Sequence, residues 1–199
     1  MVPRLGPMTA TRSVGLSLRQ RIVASAVELT ADVGWSRVTM AKLADRVGVS
    51  RQTVYNEIGT KSALAEAMIL GELDRFLQVV GDAFDRNPAD LVKAIGDASG
   101  AVLELARGNT LLHAVVSATH GADTELLPLL TTHAESLLAA AKLVVGDRVA
   151  PYEIGLDADK LDAAIDMVVR VVLSHVMQPT DTPEETAADI AWIAARVLR

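Results

Sequence analysis

Thr39-Met-Ala-Lys-Leu-Ala-Asp-Arg-Val-Gly-Val-Ser-Arg-Gln-Thr-Val-Tyr55-Asn-Glu-Ile-Gly-Thr-Lys61-Ser-Ala-Leu64 holds two short amphipathic segments, each preceded by a capping hydroxyl and followed by a glycine. Thr39 can accept from the free amides at the start of a helix, and Val38 and Leu43 flank it as a hydrophobic staple. Gly48 can leave that helix through left-handed backbone. Ser50 repeats the cap, Val49 and Val54 repeat the staple, and Gly59 stops the second segment. The spacing predicts a helix-turn-helix over Thr39 to Ile58, with Ala44, Val47, Val49, Val54 and Ile58 turned inward. The outward face of the second helix then carries Arg51, Gln52, Thr53, Tyr55 and Asn56. Arg can bridge guanine O6 and N7, Gln or Asn can bridge adenine N6 and N7, and a Thr methyl packs on thymine, so this face predicts contact with double-stranded DNA.

The charge distribution agrees locally with that reading. The 199-residue chain has a net charge of −6, but residues 1–61 carry nine Lys or Arg against four Asp or Glu, while the remainder nets −11. Phosphate attraction fades within a Debye length of ~10 Å, so the charge of one face matters more than the average. Half of the residues are hydrophobic and 3 % are aromatic. That Ala-, Leu- and Val-rich composition, without alternating β-branched runs, predicts an all-α protein. There is no cysteine, which removes disulfides and thiolate chemistry and fits a reducing cytoplasm. Charges interrupt every apolar run before the ~20 residues of a membrane span, and no signal-peptide core is evident, so a cytoplasmic location with no membrane partner is expected.

Outward from the opening segment, helix starts and stops define nine helices. Leu18, Ile22, Ala26, Leu29 and Val33 form a stripe closed by Gly34. A long helix follows Lys61 to about Phe84, and Asn87-Pro88 opens another that ends near Arg107. Further helices are expected over Thr110–Thr119, from Pro128 to Val145, from Asp157 to Met177, and from the capping box Thr182-Pro-Glu-Glu185 to Leu198. Residues 1–16 lack periodicity. They read as a flexible basic arm, or as extra sequence ahead of a start at Met8.

The pattern Thr39, Leu43-Ala44, Gly48-Val49-Ser50, Val54-Tyr55, Lys61 and Leu64 resembles the DNA-binding domain of TetR-type regulators. Asn56 and Ile58 depart from that family's aromatic-rich segment, so base preferences do not transfer. The resemblance implies a nine-helix TetR-like fold, with a helix-turn-helix domain over residues 17–62 and a ligand-binding and dimerisation domain over 63–199. It implies phosphate contacts from Thr39, Tyr55 and Lys61, and Lys42 and Ser50 complete the expected DNA face. It also implies a homodimer on a near-palindromic operator, most simply as a repressor.

For the dimer, Leu161, Ile165, Val172 and Val176 line one stripe of an almost wholly apolar helix, and the last helix adds Ile190, Ala194 and Val197. For an effector pocket, the expected apolar lining is Leu103, Leu112, Val116, Leu130, Leu137 and Val168. The expected polar anchors are Asn109, His113, Ser117, His120 and His133. The scarcity of aromatics argues against a stacked planar ligand. The aliphatic lining suits a small apolar effector such as a fatty acid or acyl derivative, and the segment through Tyr55 and Ala67 resembles actinobacterial members tied to lipid handling. The histidines show neither His-x3-His nor Glu-x-x-His spacing, so no metal, cofactor or catalytic residue is expected. A hydrolase would need inward Glu-x-x-His pairs, and a carrier with a vestigial helix-turn-helix would not need Arg51, Gln52, Tyr55 and Lys61.

Overall fold

The computed structural model describes residues 15–113 and 127–198, with side chains for 15–113 and 135–198. The helices in chain order are α1 (Leu18–Val33), α2 (Met40–Val47), α3 (Arg51–Ile58), α4 (Lys61–Arg86), α5 (Leu91–Arg107), α6 (110–113), α7 (Leu127–Val149), α8 (Ala158–Met177) and α9 (Pro183–Val197). A 3-10 turn at Trp35–Arg37 joins α1 to α2, and no strand occurs among the described residues. Among the described residues the chain is therefore all-α, and the nine helices found there correspond to those the sequence punctuation predicts. No helix among the described residues is long and apolar enough to cross a membrane.

Two compact units divide between Met68 and Ile69. The expected boundary at 62/63 falls earlier, because Leu64, Ala65 and Met68 on the first turns of α4 are buried residues of the first unit. In that unit α1 packs on α2 and α3, and Ile22, Leu43, Val38 and Val54 are almost wholly shielded from water. Each such aliphatic side chain stabilises the fold by roughly 1.5–3 kcal/mol relative to an exposed one. The caps form as expected. Thr39 accepts from the Lys42 amide at 3.2 Å and Ser50 from the Thr53 amide at 3.0 Å. Gly48 lies at φ 78°, ψ 39°, and its amide donates to the Ala44 carbonyl. Left-handed backbone at this point strains any residue with a Cβ.

In the second unit α5 lies close against α9. A Cβ at Gly96 would stand 3.1 Å from the Ala191 Cβ, and one at Gly100 would stand 3.3 Å from that of Ala187. The core gathers Val80, Ala83, Phe84, Ala94, Ala98, Val102 and Val149. Tyr152 stacks edge-on against Phe84, with centroids 6.1 Å apart, and donates its hydroxyl to the Asn87 carbonyl at 2.8 Å.

Two expectations need correction. Asn87 does not cap α5. Asp90 does, accepting from the Lys93 amide, while the Asn87 side chain donates to the Ala83 carbonyl and to Asp97. A buried amide with two acceptors in reach closes the α4–α5 corner better than it would cap. Helix α7 also runs past Gly146 to Val149. Burial of Val149 outweighs the ~1 kcal/mol that a glycine costs inside a helix.

Two consequences are testable. Ser50→Ala removes the α3 cap and should lower stability by about 1 kcal/mol, read as a shift in urea midpoint. Hydrogen bonds from Lys93 and then Asn87 hold the Asp97 carboxyl below its ordinary value. A depressed folded pKa stabilises above the unfolded value of about 3.9 and is lost as pH falls through the folded one. Asp97→Ala should therefore cost about 1 kcal/mol at pH 7, the partly exposed pair setting the scale. The gap to wild type should close progressively as pH falls below about 4.

Candidate nucleic-acid interface and effector cavity

The α2–turn–α3 unit presents one face of α3 to solvent. Val54 and Ile58 are buried beneath it, while Arg51, Gln52, Tyr55 and Asn56 are exposed and Thr53 is half-buried. Along this face the side chains pair at helical spacing. Gln52 Nε2 donates to Asn56 Oδ1 at 3.0 Å. The Arg51 guanidinium sits 5.4 Å from the Tyr55 ring centroid, and its Nη2 donates to the Tyr55 hydroxyl at 3.3 Å. The hydroxyls of Ser50 and Thr53 meet at 2.8 Å. The result is a short row of amides, hydroxyls and one guanidinium at the start of a helix whose dipole favours anions. Such a row can bind phosphates and read base edges.

Several cations of the basic N-terminal third serve the unit's own fold. Arg21 donates to the Val47 carbonyl at the end of α2, and Arg19 to the Glu57 carbonyl near the end of α3. These are the helix ends where positive charge stabilises. Arg46 spans Glu28 at 2.9 Å and Asp32 at 3.3 Å. Lys42 Nζ donates to the Arg37 carbonyl at 2.9 Å. Lys61 lies 4.8 Å over the Trp35 ring, so a residue that sequence reasoning passed over positions an expected phosphate contact. No local pattern marks Trp35, because the pairing spans the 3-10 turn and three helices.

In the second unit the expected effector residues separate. Leu112, Leu137 and Val168 line one apolar cavity of about 270 Å³, together with Phe76, Val102 and Ser99. Leu103 and His113 line a different pocket of about 260 Å³. Asn109 is structural, because its Nδ2 donates to Glu72 at 2.5 Å and its Oδ1 accepts from the Leu112 amide at 2.8 Å. Both ends of that amide are spent fastening α6 to α4. Val116, Ser117 and His120, and the side chains of Leu130 and His133, lie outside the described residues. No cluster of metal-binding side chains occurs among the described residues.

The dimer stripe is also redistributed. Val172 and Val176 pack against the core and line the 270 Å³ cavity, and Ile190 and Ala194 are buried in their own chain. The close α5–α9 approach uses the face of α9 that carries them. Leu161, which also packs against the core, and Ala194 join Ile165 and Val197 in lining an apolar groove of about 470 Å³ rimmed by Lys160. The apolar residues left in solvent on these two helices are Met167, Val171, Leu173 and Met177 on α8 and Trp192, Ile193 and Val197 on α9, with Trp192 57 % and Ile193 50 % exposed.

Comparison with known proteins gives these features a family. Residues 22–68 match the family described as bacterial regulatory proteins, tetR family, and residues 90–196 match the bacterial tetracyclin repressor C-terminal domain. The HTH-type transcriptional regulator AlkX of Mycobacterium tuberculosis is 25 % identical over 96 % of this chain and 88 % of its own length. A second HTH-type regulator of that organism, Rv2250c, is 32 % identical over 75 % of this chain and 77 % of its own. Among solved structures, the TetR family repressor AlkX from Dietzia sp. strain DQ12-45-1b superposes with a TM-score of 0.71 at 26 % identity. That match covers 92 % of this chain and 95 % of the Dietzia protein. The fatty acid degradation regulator FadR of Bacillus halodurans shares the fold, with a TM-score of 0.57 at 16 % identity over 90 % of this chain and 98 % of its own. The chain belongs to the TetR family of bacterial transcriptional regulators, which bind DNA and are not enzymes.

Proposed function

We propose that this regulator is a cytoplasmic repressor that binds a near-palindromic operator as a homodimer and is released by a small apolar, lipid-like effector. The observation that carries the DNA reading is the exposed, self-paired row on α3 above buried Val54 and Ile58. Arg51, Gln52, Thr53 and Asn56 are the base-reading set. Thr39, Lys42, Ser50, Tyr55 and Lys61 hold phosphates. One such unit reads too few base pairs, and a two-fold dimer doubles the site.

The dimer surface is the exposed apolar face of α8 and α9, centred on Met167, Trp192, Ile193 and Val197 and continuous with the apolar groove beside it. Contiguous apolar exposure of this kind marks a protein contact. Two features support an apolar effector. The cavity between α4, α5, α7 and α8 is lined almost entirely by apolar side chains, most of them aliphatic, with Phe76 and Phe84 among them. The similar Dietzia repressor is implicated in biodegradation of n-alkanes.

Gel shifts on the DNA upstream of the protein's own gene test the reading. Arg51→Ala should weaken binding by ~1–3 kcal/mol and relax the preference at one base pair. Lys61→Ala should weaken binding to all sequences alike and flatten the salt dependence by about one phosphate. Unchanged shifts for both variants would remove α3 and the start of α4 from the interface. Ile193→Asp places a charge on the proposed dimer face and should give monomers in sedimentation equilibrium, with operator affinity lost in parallel. A variant that sediments as wild type would exclude this surface.

A further inference from the structure

Two cavities of the second unit share a wall, and the chemistry differs on its two sides. Leu112, Val176 and Met177 line both the 270 Å³ apolar cavity and the 260 Å³ pocket at the end of α5. On the described lining of the first, the one ionisable side chain is Glu72, whose carboxylate already takes Asn109 at 2.5 Å and Arg75 at 3.1 Å. The second gathers Arg107, His113 and His175 against one carboxylate, Asp181, which accepts from the neighbouring Thr180 hydroxyl at 3.3 Å. Each cavity is smaller than the ~300–1,000 Å³ typical of small-ligand sites, and the two together fall within that range.

We infer that the effector is an amphiphile with an anionic head, a fatty carboxylate, lying across this wall with its alkyl chain in the apolar cavity and its carboxylate at Arg107. This rests on the apolar-effector reading above and assigns the polar end and the orientation. A carboxylate in the apolar cavity would be desolvated beside Glu72, with no cation on the described lining to pair it. At Arg107 it meets a guanidinium, which can take both its oxygens in parallel. The partner of Arg107 is Glu104, three residues back on the same helix, with both side chains more than half exposed. Such surface pairs hold weakly and exchange readily. His113 Nε2–H donates to the Arg107 carbonyl at 2.9 Å and fixes the end of α5, since a carbonyl can only accept. Met177, with an unbranched and adaptable side chain, supplies the part of the shared wall that can yield to a chain passing through.

Calorimetric titration of the full-length protein with dodecanoate and with dodecanol separates the head from the tail. Dodecanoate should bind about tenfold or more tightly than dodecanol, and Arg107→Gln should remove that preference by weakening dodecanoate alone. Arg107→Lys should restore part of it. The site is exposed, so unchanged thermal melting should accompany both variants. If the two probes bind alike and Arg107→Gln alters neither, the head site is wrong, while the apolar-effector reading stands. If neither probe binds, the apolar-effector reading falls, and this assignment falls with it.

Discussion

Neither α2 nor α3, at eight residues each, is long enough to persist as an isolated helix in water. Their existence depends on the burial of Leu43, Ala44, Val47, Val54 and Ile58. That one apolar contact sets the crossing of the two helices, and through it the direction of every polar group on α3. Gly48 makes the turn tight enough for the contact to close. Arg19 and Arg21 reach back from α1 to the carbonyls at the far ends. A helix held from behind in this way can leave its whole outward face polar, which an isolated helix of that length could not sustain.

The second unit follows the same rule with a different outcome. Small residues at Gly96, Gly100, Ala187 and Ala191 let α5 and α9 approach closely, and that approach consumes one apolar face of α9. Its other face, with Trp192 and Ile193, is left in solvent. Helix α8 is apolar around most of its circumference outside the stripe of Asp159, Asp162, Asp166 and Arg170, so it lines the inner cavity with Val172 and Val176 while exposing Met167 and Val171. A fold that meets its packing needs on one side of each helix leaves the opposite sides available for a partner or a ligand.

Helix content, caps and the helix-turn-helix were legible from residue order because they obey local rules. A hydroxyl accepts from an amide three residues on, a glycine relaxes a left-handed turn, and apolar spacing follows the helical period. Thr39, Ser50, Asp157 and Thr182 each cap as their neighbours predict. The exposed set on α3 follows from the same periodicity. Asn87 shows where local rules stop: its sequence neighbourhood suits a cap, yet its amide goes to Ala83 and Asp97, because a buried donor takes the acceptors that packing supplies.

The sequence by itself determined an all-helical chain with a basic, capped helix-turn-helix ahead of an acidic aliphatic remainder, since propensity, capping and charge are properties of short segments. Tertiary structure alone decided which apolar residues of α8 and α9 face inward, that Trp35 underlies Lys61, and that Arg107 stands across a shared wall from an apolar cavity. A helix whose apolar residues spread over most of its circumference, as on α8 around its stripe of Asp162, Asp166 and Arg170, carries too weak a periodic signal to say which of them face inward, and residues far apart in the chain meet only when helices pack. The helix-turn-helix therefore announced itself in the sequence, while the surfaces of the second unit emerged only once α5 and α9 had closed on each other.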